Sequence, residues 1–279
     1  DLQGDYYSIE MWHETNSQQD GTIKRQTQFP ESASQWILSG PHFFVGTPLY
    51  QTPKKVCETH KAYESLDLTS LPDNYLPRSN YIPSCTLAEY KRRTPHVPWV
   101  EEGGSEAKLV TDYYRFVNRR MFGGASERSL ISSIIPQEAA HINTNVSTVF
   151  KDDKKLVNFV GFSHSLIFDF YLKSTGKSDL YGNGLEIFPY IENENVSLRV
   201  LCLTSLTIHY SNLWRTCFQP NYTHAHWAKS DPRLPNSFFQ ALMPNLERNY
   251  ALRTDYNRRQ ALVEIDVLAA MVFGLTLDE

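Results

Sequence analysis

The pattern of the chain predicts an α+β fold: a mixed, mainly antiparallel sheet closed by a C-terminal helix. Three observations carry this. Short apolar runs bounded by Gly, Pro and Ser recur without regular strand–helix alternation. The clearest helical period lies at the end, where Leu262, Ile265, Ala269 and Val272 repeat at helical spacing. Aromatic residues make up 13% of 279 residues, with 16 Tyr and 15 Phe, which suits a packed core and not a disordered tail.

Residues 1–35 are polar and irregular, with the plainest loop at 15–21. Trp36-Ile37-Leu38 and Phe43-Phe44-Val45 read as buried extended segments between turns at Ser39-Gly40-Pro41 and Gly46-Thr47-Pro48. Prolines 72, 77, 83, 95 and 98 make residues 70–100 a poor helix candidate. Within 110–122, Val110, Tyr113, Val117 and Met121 can be drawn as a helix face, yet Tyr113, Tyr114, Phe116 and Val117 favour a pleated surface. The preferred reading is two strands, this one and 130–136, joined by a loop at about 122–129.

Further strands are expected at 147–150, 156–161, 186–189 and 200–206, whereas 166–172 suits a helix. Asp255 can cap the final helix, 255–273, and Gly274 stands where a C′ glycine belongs.

Net charge is −4 and the sequence pI about 6.2. That excludes a uniformly basic nucleic-acid coat but not a local basic surface. The longest apolar run falls far short of the ~20 residues that span a bilayer, so no membrane partner is expected. No signal peptide opens the sequence, and both ends look like cuts through a longer protein. Cys57, Cys85, Cys202 and Cys217 form no C-x-x-C pair, so neither a zinc knuckle nor a disulfide framework is expected, and a reducing cytoplasm fits.

Adenine methylation would need a glycine-rich cofactor loop and an N-P-P-Y-type turn to hold a flipped base. Neither is present; Phe44-Val45-Gly46-Thr47-Pro48 lacks the amide and the second proline. No cofactor is therefore expected in this chain. Pro72-Asp73 followed by Glu89-Tyr90-Lys91 satisfies a P-D…E-x-K string, the pattern of an Mg²⁺ nuclease in which two carboxylates hold the metal and lysine helps activate water. His209, His224 and His226, with Asp231, invite a metal, although packing histidines explain them as well.

The basic residues carry more. Lys91, Arg92 and Arg93 form one run that suits phosphate or simply solvent. Arg115, Arg119, Arg120 and Arg128, with Lys108, face only Asp112 and Glu127 and are interleaved with aromatics. Arginine forks suit both phosphate and the guanine edge. The alternative is that Glu127 or Asp112 pairs some of them inside the fold. Arg248, Arg253, Arg258 and Arg259 form a further group flanking the last helix and equally suit ordinary helix-surface charge.

Several strings occur in a familiar order. They are 71–81 (Leu-Pro-Asp-Asn-Tyr-Leu-Pro-Arg-Ser-Asn-Tyr), 114–121 (Tyr-Arg-Phe-Val-Asn-Arg-Arg-Met), 126–131 (Ser-Glu-Arg-Ser-Leu-Ile) and Ile134-Ile135-Pro136. Then come Phe168-Asp169-Phe170, 201–207 with Tyr210 and Leu213-Trp214, and 258–277. Over residues 36–279 the chain resembles the target-recognition and C-terminal part of large bacterial adenine-specific DNA methyltransferases, the type IIG restriction–modification enzymes and related phage-defence enzymes. It departs from the family wording at Gly123-Gly124-Ala125-Ser126.

The resemblance implies residues 1–80 as an N-terminal connecting segment, 81–248 as a DNA target-recognition domain and 249–279 as a C-terminal helical element. It implies double-stranded DNA as partner, together with a catalytic domain of the same polypeptide that would use S-adenosylmethionine. Arg115, Arg119, Arg120, Arg128, Lys91, Arg92 and Arg93 are then the expected DNA contacts. An Mg²⁺ nuclease using Asp73, Glu89 and Lys91, or a protein-interaction module, are the other readings.

Overall fold

The computed structural model describes residues 4–59, 61–276 and 278. In chain order its elements are β1 (Tyr6–Ile9), α1 (Asn16–Gln19), β2 (Ile23–Gln28), β3 (Ile37–Leu38), β4 (Gln51–Pro53), β5 (Tyr63–Ser65), β6 (Ser79–Pro83), α2 (Leu87–Arg93), β7 (Arg115–Arg119), β8 (Ser132–Ile135), β9 (Ala140–His141), β10 (Asn145–Phe150), α3 (Asp153–Ser163), α4 (Leu166–Ser174), α5 (Glu194–Thr204), α6 (Ser211–Cys217) and α7 (Asp255–Val272). The fold is α+β.

Its centre is a four-stranded antiparallel sheet in the order β1-β10-β7-β8. Three two-stranded pairs, β2-β6, β4-β5 and the parallel β3-β9, lie outside it. Strand residues alternate between faces. Phe116, Ile134 and Phe150 join the core built with α3, α5, α6 and α7. Val117 and Ile135 instead pack with Trp36, Leu38 and Phe43, and Val149 packs with Trp12 and Ile37. The sheet is therefore covered on both faces, by helices on one and mostly by residues from the first 113 positions on the other.

Pairing crosses the expected boundary at 80/81, because β1 is an edge strand of the central sheet, and core packing crosses 248/249, because α7 contributes Ala261, Ile265 and Ala269 to the main core. The four cysteines are free.

Several sequence expectations are corrected. Residues 1–35 hold β1, α1 and β2; β2 reads Ile-Lys-Arg-Gln-Thr-Gln, with one buried residue, so it lacked the apolar alternation that marks a strand. Residues 156–161 and 200–206 are not strands. They lie in or at the end of α3 and α5, whose N-caps Asp152 and Asn193 accept backbone N–H groups. Residues 186–189 belong to and follow a 3₁₀ segment, and Phe43–Val45 leads into a tight turn in which Phe44 and Thr47 exchange backbone bonds. Residues 87–93 are helical, with Thr86 accepting from Glu89 N as the cap. The final helix is capped by Thr254, one residue before the expected Asp255, and Gly274 has φ +71° as its position requires.

Candidate nucleic-acid interface

The pleat of β7 decides where its arginines go. Arg115, Val117 and Arg119 share one face, opposite Phe116 and Asn118. Arg115 is fully buried. Its guanidinium donates to the Ala139 carbonyl and to Met11 Sδ, and burial pulls its pKa down to about 9. It stays charged at neutral pH but offers nothing to a ligand at the surface. Its expected role as a DNA contact is corrected to an interior tie between β7 and the segments holding Met11 and Ala139.

Arg119, at the strand end, is half-buried. Nε donates to the Gly40 carbonyl at 2.9 Å and Nη2 to the Phe43 carbonyl at 3.0 Å. Its guanidinium lies 5.9 Å from the Phe43 ring centroid and 6.0 Å from that of Phe44. Arg120 pairs with Glu10 at 3.3 Å and Asp179 at 3.5 Å, near the Tyr181 ring.

Beyond β7 the chain crosses an exposed loop, in which residues 123–127 are all exposed, and returns through Arg128. Asp169 of α4 organises this return. Its buried Oδ1 accepts Ser129 N and Leu130 N, each at 2.7 Å, and stands 3.4 Å from Arg128 Nε. Arg128 Nη2 also donates to the carbonyls of His164 (2.6 Å) and Ser165 (3.3 Å). The expected internal partners are not the ones used. Asp112 accepts Leu109 N instead, and Glu10, Asp179, Asp169 and backbone carbonyls hold the arginines.

Arg119 and Arg128 meet at one cleft of about 290 Å³, lined also by Met121, Phe122, Gly123 and Ser126. Among the described residues, the Nη1 group of each forms no hydrogen bond. Met121 is 67% exposed at its rim. The end of β7 and the approach to β8 thus hold a pair of oriented cations beneath a glycine-containing loop.

The Lys91-Arg92-Arg93 run is elsewhere, on α2. Glu89 holds both arginines: Arg92 through two bonds of 2.7 Å and Arg93 through one of 2.6 Å. Arg93 also reaches Asp20 and Thr22. Of these three, only exposed Lys91 has no partner among the described residues. Glu89 is correspondingly held below the usual carboxylate range by those two arginines. Asp73 is paired with Arg248, with Arg253 at 3.9 Å. The two carboxylates of the nuclease pattern are therefore each engaged by a different arginine pair. Among the described residues, no group of three or more His, Cys, Asp or Glu is arranged to hold a metal. Asp231, the carboxylate grouped with His224 and His226, accepts from Arg233 and Tyr256.

Of the arginines around α7, Arg248, Arg253 and Arg258 are not ordinary surface charge. Arg248 donates to the carbonyls of Thr69 and Leu71, and Arg253 to those of Leu68 and Leu206. Arg258 is buried and donates to the carbonyls of Leu203, Leu252 and Gly46 and to Thr47 Oγ1. Exposed Arg259 has no partner among the described residues.

Between this group and the 44–50 turn lies a cleft of about 750 Å³, lined by Phe44, Tyr50, Asp67, Arg253, Arg258 and Arg259 among others. The sequence pattern places Phe44 in a buried extended segment and in a string too incomplete for an N-P-P-Y-type turn, and it gives Tyr50 no role. They approach one another only through the turn that pairs Phe44 with Thr47, and their stacking at 5.1 Å has no periodic signature.

Compared with protein-family models, with curated proteins and with solved structures, the chain has no match. No helix among the described residues is long and apolar enough to cross a membrane.

Proposed function

We propose that this chain is a DNA target-recognition region of an adenine-specific DNA methyltransferase of the type IIG kind. It holds a duplex so that a catalytic domain of the same polypeptide, outside this chain, can methylate adenine with S-adenosylmethionine. The carrying observation is the cleft at the end of β7 and the approach to β8, where Arg119 and Arg128 are oriented by backbone carbonyls and by Asp169 beneath an exposed loop. Guanidinium groups held in this way have lost their rotamer freedom before a ligand arrives, so less is lost when a phosphate or base edge is bound. The order of motif strings along residues 36–279 supports the same reading. The cytoplasm, where chromosomal and invading DNA meet, is the compartment this function requires.

A net charge of −4 makes the isolated chain a weak, salt-sensitive binder. A mobility-shift titration of the isolated chain against a mixed-sequence duplex at low ionic strength is the direct test. Binding that fades steeply with added salt is expected. A chain that shifts no duplex at low salt, while folded, sinks the proposal.

A further inference from the structure

The larger cleft has a composition of its own. On one side Phe44 stacks on Tyr50, a residue 36% exposed. On the other stand Arg253, Arg258 and Arg259 from the start of α7 and the residues before it. All the hydrogen-bond partners of Arg258 are carbonyl or hydroxyl oxygens, so no carboxylate is bonded to its buried charge, and Asp255 offsets it only through space. Burial lowers its pKa only to about 9, so the cation persists at neutral pH. Arg253 is likewise spent on carbonyls, and Asp73, its nearest acid, already belongs to Arg248. Arg259 is exposed and unpaired among the described residues.

Two acids share the cleft, Asp67 and Asp255, and Asp67 Oδ1 is held by Thr69 N and Oγ1. Three guanidinium charges against two carboxylates leave the cleft cationic, with one free fork beside an open aromatic face. A flat ring on Tyr50 and an anion on Arg259 are the two demands that one nucleotide meets together.

We propose that this cleft binds a nucleotide unit, its base stacked on Tyr50 and its phosphate on Arg259. The inference rests on the DNA-binding reading above and extends it to a second contact region. Arg119 adjoins Phe44, so the two clefts are linked through Arg119, Phe44 and Tyr50. The unit can belong to a single-stranded stretch of DNA or be a free mononucleotide.

The test is fluorescence polarisation of the folded chain with a labelled oligothymidylate at low salt, with thymidine 5′-monophosphate as competitor. Tyr50→Leu should weaken binding about tenfold and leave the salt dependence unchanged. Arg259→Ala should weaken it and make the log–log salt slope shallower by about 0.7, as expected for one phosphate on a single strand. Both side chains are exposed, so urea midpoints close to wild type confirm that the variants fold. Competition by the monophosphate assigns free nucleotides to the cleft as well; its absence restricts the occupant to a strand.

Wild-type affinity for the oligothymidylate in both variants overturns the proposal, as does a wild-type chain that binds none. A parallel titration with duplex separates the two readings. Duplex binding that survives with no role for Tyr50 or Arg259 removes the nucleotide cleft alone, and loss of all DNA binding removes both.

Discussion

Arg258 and Gly46, 212 positions apart in the chain, are joined by a 2.6 Å hydrogen bond from the guanidinium to the carbonyl. Gly46 has φ +64°, a left-handed conformation, and a Cβ there would lie 3.3 Å from Leu262 Cδ2 and 3.4 Å from Leu203 Cδ1. The left-handed φ is what makes the turn need glycine, and the leucine contacts would be only slightly tight. The same Arg258 ties Leu203 at the end of α5 and Leu252 before α7, so one side chain fastens the N-terminal turn to two parts of the helical layer.

Arg258→Met removes donors from several buried acceptors at once. A loss of about 3–5 kcal/mol is expected, since each unsatisfied buried acceptor costs about 1–3 kcal/mol and neighbouring losses are not additive. Arg259→Ala, one residue on and exposed, should stay within about 0.5 kcal/mol of wild type. Urea unfolding of the two variants side by side checks this. Equal midpoints would show that the carbonyl ties contribute nothing net.

The packing face of α7 gives a second contrast. Ile265 and Ala269 are fully buried and Leu262 is half-buried, but Val272 is 40% exposed. The helical period read from the sequence thus holds for three of its four positions and fails at the last turn, where the core ends. Ile265→Ala should cost about 2–5 kcal/mol, as large-to-small core changes do. Val272→Ala should cost well under 1 kcal/mol. A calorimetric or urea comparison that ranks Val272 with Ile265 would put the packing face elsewhere.

Helix α7 was legible because it has solvent on one side, and amphipathic periodicity exists only where a helix is half-covered. Helix α3 has no such side. Leu156 through Ser163 are all buried, between the sheet and the other helices, so Leu-Val-Asn-Phe-Val-Gly reads as an apolar run broken only by Asn158, which suits a strand equally well. The usable signal was local: Asp152 as a cap, with Asp153 in the first turn. For the arginines, sequence spacing showed a cluster but not its direction. Arg115 and Arg119 are four apart on a strand and point to one face, yet one lies beneath the N-terminal segment and the other at its edge. Only the pairing of β3 with β9, and the placement of Gly40 and Phe43 that follows, separates the interior arginine from the accessible one.

Acid sensitivity follows from three buried histidines. Burial lowers the pKa of His42, and brings those of His141 and His164 to about 3; Arg128 and Arg258 add to the effect on His164. Unfolded histidine titrates near 6.5, so below that pH the unfolded chain takes up protons that the folded chain refuses. The stability these groups contribute is fully present above about pH 6.5 and is lost as pH falls toward 3. Asp153 has the opposite sign. Burial, with Asp152 beside it, raises its pKa from 3.8 to about 6, so its stabilising contribution is present at low pH and lost as pH rises through that interval.

Asp266, raised by burial as well, acts in the same direction as Asp153. Three histidines outweigh these two carboxylates, and the urea midpoint should drop between pH 7 and 4.5. Asp153→Asn should be more stable at pH 7 by about 1 kcal/mol, discounted for partial exposure, and should show a steeper acid drop because one opposing group is gone. A variant with an unchanged pH profile would mean that Asp153 titrates normally.

Arg119, Arg120 and Arg128 are to be assayed in the full-length methyltransferase that the proposed function implies, where weak binding by the isolated chain is no obstacle. A phosphate contact adds affinity on every sequence and steepens the salt dependence; a base contact adds about 1–3 kcal/mol of discrimination at one position. Arg119 and Arg128 each retain an Nη1 group without a hydrogen bond among the described residues, whereas Arg120 stands between two carboxylates. Arg120→Ala should therefore change DNA affinity least of the three. Arg128→Lys keeps the charge, but its single ammonium cannot reach two carbonyls and Asp169 together, so it should retain salt-dependent binding while losing any discrimination that depends on guanidinium geometry. Arg115→Met serves as the control for indirect effects, since a buried tie can alter DNA binding only by loosening the fold. Cognate and singly altered sites, titrated across a salt series, resolve these cases. A parallel loss on all sites with a shallower slope identifies phosphate, and a loss confined to the cognate site identifies base readout. Wild-type affinity and methylation rate in folded Arg119→Ala and Arg128→Ala variants would make both arginines purely structural, and the interface would have to lie on another face.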